Sequence, residues 1–297
     1  MTAGDPRPPY RGTGLRTRAV SGSADNVSGG LTWPAANLRI RRVSLEAPWH
    51  WLSAGWHDLV SVPAISLTYG GVFAAVAVAL LYALSGIGLG ALVLALAGGF
   101  LLVGPMFGVG LYEASRRLEN RLAIDPRDVA MVGVRSPGQL AQMGLLLLLI
   151  YFVWVLLGLL LLMLFMGTRP MPPLHEFIAN LLLTSNGLGL LLAGTATGAV
   201  LAMLVFAVAA VSVPLLMVRD IDVVTAAAAS VAATRTNLLP MVLWAMLIAA
   251  TTALGFATLG AGLIVTFPLI GHATWHAFRD LIELDPEPEI VPDVVTG

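Results

Sequence analysis

Two histidines, His272 and His276, stand four residues apart in one largely apolar stretch. A helix there puts both imidazoles on one face. Such a pair can bind zinc, copper or haem iron. A zinc site needs three or four ligands, and His57, Asp58 and Glu113 are the candidates to complete one on the same rim. The plainer reading is that His272 bonds a neighbouring helix and His276 sits among lipid headgroups. No cofactor is expected on that reading, and haem or a metal is the alternative to it. The remaining polar groups of interest are Glu113, Arg116, Arg117 and Glu119, then Arg219, Asp220 and Asp222, then Arg279 and Asp280. They fall where apolar segments end, which suits orientation in a membrane and intramolecular ion pairing, or a site for lipid headgroups or a partner. No catalytic residue is assigned, because no phosphate-binding loop, nucleophile elbow, paired zinc histidine motif or pair of catalytic carboxylates occurs in the apolar segments. Cysteine is absent, which excludes thiolate chemistry and disulfides.

The elements that position these groups follow from composition. Hydrophobic residues make up 58% of the 297 and charged residues only 11%. Soluble domains carry about 25% charged residues, so a water-facing surface cannot be built from this chain. A helix crosses a bilayer with about 20 apolar residues. Six segments qualify, at 65–84, 87–112, 143–166, 190–217, 238–257 and 259–278. The expected fold is all-α, a polytopic membrane bundle of about six transmembrane helices arranged as three kinked hairpins, with cytoplasmic amphipathic helices. The expected organisation is a disordered tail over 1–45, a membrane domain over 46–282, and a disordered acidic, proline-containing tail over 283–297.

All sixteen basic residues are Arg, and fifteen fall on one side of the predicted topology. Arg7, Arg11, Arg16, Arg18, Arg39, Arg41 and Arg42 precede the first span, and Arg116, Arg117, Arg121, Arg127 and Arg135 separate the second from the third. Arg219 and Arg235 separate the fourth from the fifth, and Arg279 follows the sixth, leaving only Arg169 opposite. Cytoplasmic loops carry the excess of Arg, so both termini are expected in the cytoplasm and the chain in a bacterial inner membrane. The spans are nearly free of charge, which argues against a proton pump or a cation channel. Net charge is -1, and no nucleic-acid partner is expected.

A loose threefold pattern runs through the chain. Pro63, Pro137 and Pro240 open the odd-numbered spans. Pro105, Pro214 and Pro268 sit near the exits of the even-numbered ones, where a proline frees a carbonyl and bends a helix. Glu113, Asp222 and His276 each follow one of these prolines by eight residues. Amphipathic stripes precede or follow the spans: Trp49, Leu52, Trp56 and Leu59; Leu111, Ser115, Leu118 and Leu122; Ile221, Val224, Ala228 and Val231. Such stripes suit helices lying at the membrane surface, or extensions packed on the bundle. Gly104-x-x-x-Gly108 and Gly194-x-x-x-Gly198 allow close helix approach. A short helix around 174–182 is expected on the periplasmic surface.

Several segments together resemble a bacterial membrane family. They are Gly55-Trp-His-Asp-Leu59 with Pro63 and Tyr69-Gly70, then Gly104-Pro105, and Gly110-Leu-Tyr-Glu-Ala-Ser-Arg-Arg-Leu-Glu119. Val213-Pro-Leu-Leu216, Arg219-Asp220-Ile-Asp222 and Gly271-His-Ala-Thr-Trp-His-Ala-Phe-Arg-Asp-Leu281 complete the set. The chain is similar over about residues 40–285 to the family catalogued as domain of unknown function 2189. That resemblance implies no established activity. Some members carry a cytochrome c oxidase subunit label, which implies an accessory or assembly role beside a respiratory complex. The catalytic oxidase subunit needs several metal-binding histidines inside its spans, whereas three of the five here, His50, His57 and His175, lie outside them.

The expected function is therefore a non-enzymatic scaffold, accessory subunit or assembly factor in contact with the lipid bilayer and with a membrane-protein partner or a second copy. The alternative is a transporter or lipid-handling protein for a neutral or amphiphilic ligand. A haem- or metal-binding membrane protein is third.

Overall fold

The structure is a computed structural model that describes residues 32–33, 38–90, 92–125, 127, 129, 136–167 and 172–284. Arg7, Arg11, Arg16, Arg18, Arg135, Arg169 and most of both tails lie outside the described residues. The described chain is all-helical apart from one small sheet. Its helices are α1 (Ala47–Ser61), α2 (Pro63–Gly86), α3 (Leu92–Phe107), α4 (Val109–Glu119), α5 (Pro137–Met166), α6 (Leu174–Leu183), α7 (Ser185–Val218), α8 (Val223–Thr236), α9 (Leu238–Ala257) and α10 (Leu263–Leu281). Proline opens α2 and α5, where its fixed φ is already helical and its missing N–H would have no partner.

By length and composition α2, α5, α7 and α9 can each cross a membrane. A fifth crossing arises if α3 and α4 form one span bent by 42°. The bend falls at Gly108, three residues after Pro105, which cannot donate a helix hydrogen bond. A Cβ on Gly108 would stand 2.6 Å from the Tyr112 hydroxyl, so the joint requires glycine. Pro214 and Pro268, by contrast, lie inside α7 and α10, which each continue past them as one helix.

The expected sixth span, 259–278, is not among the four long apolar helices or the bent pair. Its helix, α10, carries His272, Thr274, His276, Arg279 and Asp280 in its second half, which lowers its apolarity. It is nonetheless buried along most of its length, against α1, α2, α4, α7 and α9. Glycines bring three of these helices close. Gly55 of α1 sits on Ala273, Gly70 of α2 on the backbone of Ile264, and Gly271 of α10 under Leu111 of α4. α2, α5 and α9 instead leave large apolar side chains such as Val76, Phe152, Leu156 and Leu254 exposed, as a hydrocarbon-facing surface does.

Residues before the boundary expected at 45 take part in a small sheet. β2 (Leu38–Ile40) pairs antiparallel with β1 (Thr32–Trp33) and with β3 (Ile282–Leu284), register Arg39 to Glu283. Leu38 and Ile40 are fully buried, so this strand belongs to the folded domain, and the domain continues through 284.

Candidate polar rim

Most of the charged and polar residues flagged in the sequence have hydrogen-bonding partners in the structure. His272 is fully buried on α10. Its Nε2 lies 2.9 Å from the Ser66 hydroxyl of α2 and its Nδ1 lies 2.8 Å from the Ser115 hydroxyl of α4. The Ser66 hydroxyl also lies 3.0 Å from the carbonyl of Val62. Each ring nitrogen of His272 thus has a serine hydroxyl within hydrogen-bond distance.

His276, one turn further on, bonds Asp58 of α1 at 2.8 Å. A carboxylate only accepts, so Nε2 carries the proton. Asp58 is itself buried, while its neighbour His57 is exposed. Glu113 is also buried and takes Arg116 through two bonds, at 2.7 and 2.8 Å, and Arg117 through one, at 2.7 Å. Of the five metal candidates, His276 and Asp58 meet, while His57 is exposed and His272 and Glu113 bond other partners. Among the described residues no group of three or more His, Asp or Glu stands where it could hold a metal ion.

The other rim residues tie distant segments together. Glu119 accepts from Trp275 Nε1 at 3.0 Å and from Arg279 Nε at 2.9 Å, joining α4 to α10. Asp280 accepts from Trp51 Nε1 of α1 at 2.7 Å. Arg41 donates to the carbonyls of Arg279 and Asp280, capping the C-terminus of α10, where a cation complements the helix dipole. Asp220 and the carbonyl of Arg219 both accept from Ser136 Oγ, at 3.2 and 2.8 Å. Asp222 is the N-cap of α8, accepting from the backbone of Val224 and Thr225 and, at 2.6 Å, from the Thr225 hydroxyl. Those bonds, the hydroxyl's first, hold its carboxyl below the usual aspartate value. Asn237 donates to the carbonyl of Arg41 at 2.9 Å and accepts from Val43 N–H at 2.8 Å.

Sequence reading misses Ser66, Ser115, Trp51 and Asn237 as partners, whereas it takes Glu119 as an ion-pairing residue. The three residues at matched distance from a proline are Glu113, Asp222 and His276. Each is hydrogen-bonded, Glu113 to two arginines of its own helix, Asp222 to the first turn of α8, and His276 to α1.

A helical bundle with long apolar helices and outward-facing leucines defines a membrane protein. Residues 92–218, from α3 to α7, match the family described as "Predicted integral membrane protein (DUF2189)". The family resemblance read from the sequence holds over that segment, while the Gly271-to-Leu281 segment lies outside the match. No curated protein and no solved structure matches the chain.

Proposed function

We propose that the protein is a non-enzymatic membrane scaffold or accessory subunit whose cytoplasmic rim is a rigid plate for a partner protein. The observation that carries this reading is the pairing of the rim. Side-chain bonds link residues 41–58, 119, 237 and 275–280 into one set and residue 136 with 219–220 into a second, which supports reading these polar groups as serving the fold rather than a substrate. Trp49 and Trp56 are left outward on α1, each about half exposed, as the surface offered to a partner. A photocrosslinking residue placed at Trp49 or Trp56 in native membranes should give one discrete protein adduct, either with a second copy or with another protein. Adducts with lipid alone at both positions would overturn the reading.

The same contacts favour six crossings by parity. Asn237 bonds residues 41 and 43, so an even number of crossings separates them. α2, α5 and α7 make three, and the bent α3–α4 pair supplies the fourth. β2 pairs with β3, so the crossings between residues 237 and 282 are also even. α9 is one, and α10 is the helix available for the other. Six crossings with the rim on the Arg-rich side puts both ends of the described domain in the cytoplasm.

A further inference from the structure

Away from the rim, α3, α5 and α7 enclose an apolar cavity of about 510 Å³. This falls within the range of small-ligand sites, about 300–1,000 Å³. Phe177 and Leu181 of α6 close one end. No charged side chain lines it. The indole N–H of Trp154, the largest wall residue, is spent on the carbonyl of Ala95 at 2.7 Å. Nothing in the wall therefore recognises a charged headgroup, and an apolar cavity of this kind excludes water.

Two features point to the occupant. Leu94 and Leu191 line the cavity and keep substantial exposed surface, so the cavity has an opening rather than being sealed. The wall also contains four glycines, of which helix packing uses Gly98 and Gly198 but not Gly194 and Gly158. Gly98 and Gly198 lie against the Trp154 ring, at 3.2 and 3.1 Å for an added Cβ. Gly194 meets nothing within 4 Å, and Gly158 meets only Ala95 Cβ, at 3.8 Å. A glycine inside a helix costs about 0.5–1 kcal/mol relative to alanine. At Gly194 no neighbouring helix takes up the space released, which belongs to the cavity.

We propose that this cavity holds one acyl chain of a bilayer phospholipid, entering between Leu94 and Leu191. The site stands on observations separate from the scaffold reading and needs no transport activity. It gives Gly194 a role other than close helix approach, while Gly198 keeps the latter role under Trp154.

Trp154 is about nine-tenths buried, so hydrocarbon outside the bundle reaches it poorly. The full chain, reconstituted into phosphatidylethanolamine–phosphatidylglycerol vesicles with acyl chains brominated at mid-length, tests the site by fluorescence. The Trp154 emission is the difference between the protein and its Trp154→Phe variant. Most of that emission should be quenched by the brominated phospholipid. Gly194→Leu should restore it by filling the cavity from α7, and Gly158→Val should do so from α5. Should either variant fail to insert, the other decides. An unquenched Trp154, or equal quenching in a filled variant with unchanged melting temperature, would overturn the proposal. Quenching by a brominated free fatty acid but not by the phospholipid would overturn the assignment to phospholipid.

Discussion

A buried histidine with both nitrogens bonded makes different demands from a metal ligand, and His272 shows how the two can be separated. Removing either serine leaves one ring nitrogen without a partner. Side-chain hydrogen bonds between membrane helices contribute about 0.6 kcal/mol on average and up to about 1.7. An unpaired buried group costs about 1–3 kcal/mol. Ser66→Ala and Ser115→Ala should therefore each lower stability by about 1–2 kcal/mol. The sum should exceed the effect of either alone, but the pair should not add independently, because both serines share one ring. Thermal melts in mild detergent read this directly. A zinc titration of the same protein should show no saturable site at His272. Saturable binding lost in His272→Ala would restore the metal reading. Asp222 gives a pH test. Its carboxyl titrates lower in the folded chain than its ordinary 3.8, so its contribution is complete above that value and fades as pH falls through the folded value. Asn caps as well as Asp. Asp222→Asn should melt like the parent at neutral pH and should lose less on acidification to pH about 3. Equal acid sensitivity in both proteins would remove this role.

Among the elements, α1 depends most on a single small residue. An added Cβ at Gly55 would meet the backbone nitrogen of Ala273 at 2.6 Å, and backbone cannot move aside as a side chain can. Gly55→Val should lift α1 from α10 and break both the Asp58–His276 and Trp51–Asp280 bonds. Overpacking alone costs about 1–3 kcal/mol, and the lost bonds add to it. Hydrogen exchange should show α1 losing protection while α5 and α7 keep theirs. Uniform protection in the variant would contradict the assigned contact. This helix also shows what was legible in the sequence. The apolar residues marked α1 as amphipathic, and of the predicted stripe Leu59 is buried and Leu52 packs on the core, while Trp49 and Trp56 stay exposed. The buried face holds Trp51, Gly55, Asp58 and Leu59. Apolar spacing gives weight to tryptophan and none to glycine, whereas docking here depends on how closely two backbones approach. For the same reason α8 buries Ala226, Ala229 and Ala233 and leaves Val224 exposed. The Arg and Glu of the rim were visible as charges at segment ends. Their partners were not, because residues such as Asp58 and His276 are 218 positions apart and meet only through the fold.

At the scale of the whole molecule, hydropathy and contact parity bear on one question from different sides. Hydropathy favours four crossings by single helices and a fifth by the bent pair, and it passes over α10 because its second half is polar. Parity disfavours five, since β2 and β3 share one sheet and so lie on one side of the membrane. The choice is between four and six, and the two differ in the placement of the α5–α7 connection. With six, α2 leaves the cytoplasm, α3–α4 returns, and α5 leaves again, so His175 faces the periplasm. With four, α3–α4 does not cross, α5 returns to the cytoplasm, and His175 lies on the same side as His57. Both histidines are exposed, and the chain contains no cysteine, so single-cysteine variants carry no background. His175→Cys in cells with a permeabilised outer membrane should react with a membrane-impermeant maleimide, and His57→Cys should react only after lysis. Leu259→Cys, at the exposed turn between α9 and α10, should behave like His175→Cys if α10 completes a sixth crossing. Labelling of both His175→Cys and Leu259→Cys only after lysis would establish four crossings. It would also place α8 opposite Arg41, in conflict with the Asn237 bonds that anchor the rim. Labelling of His57→Cys from outside would reverse the orientation and set the Arg distribution against the membrane potential it normally follows.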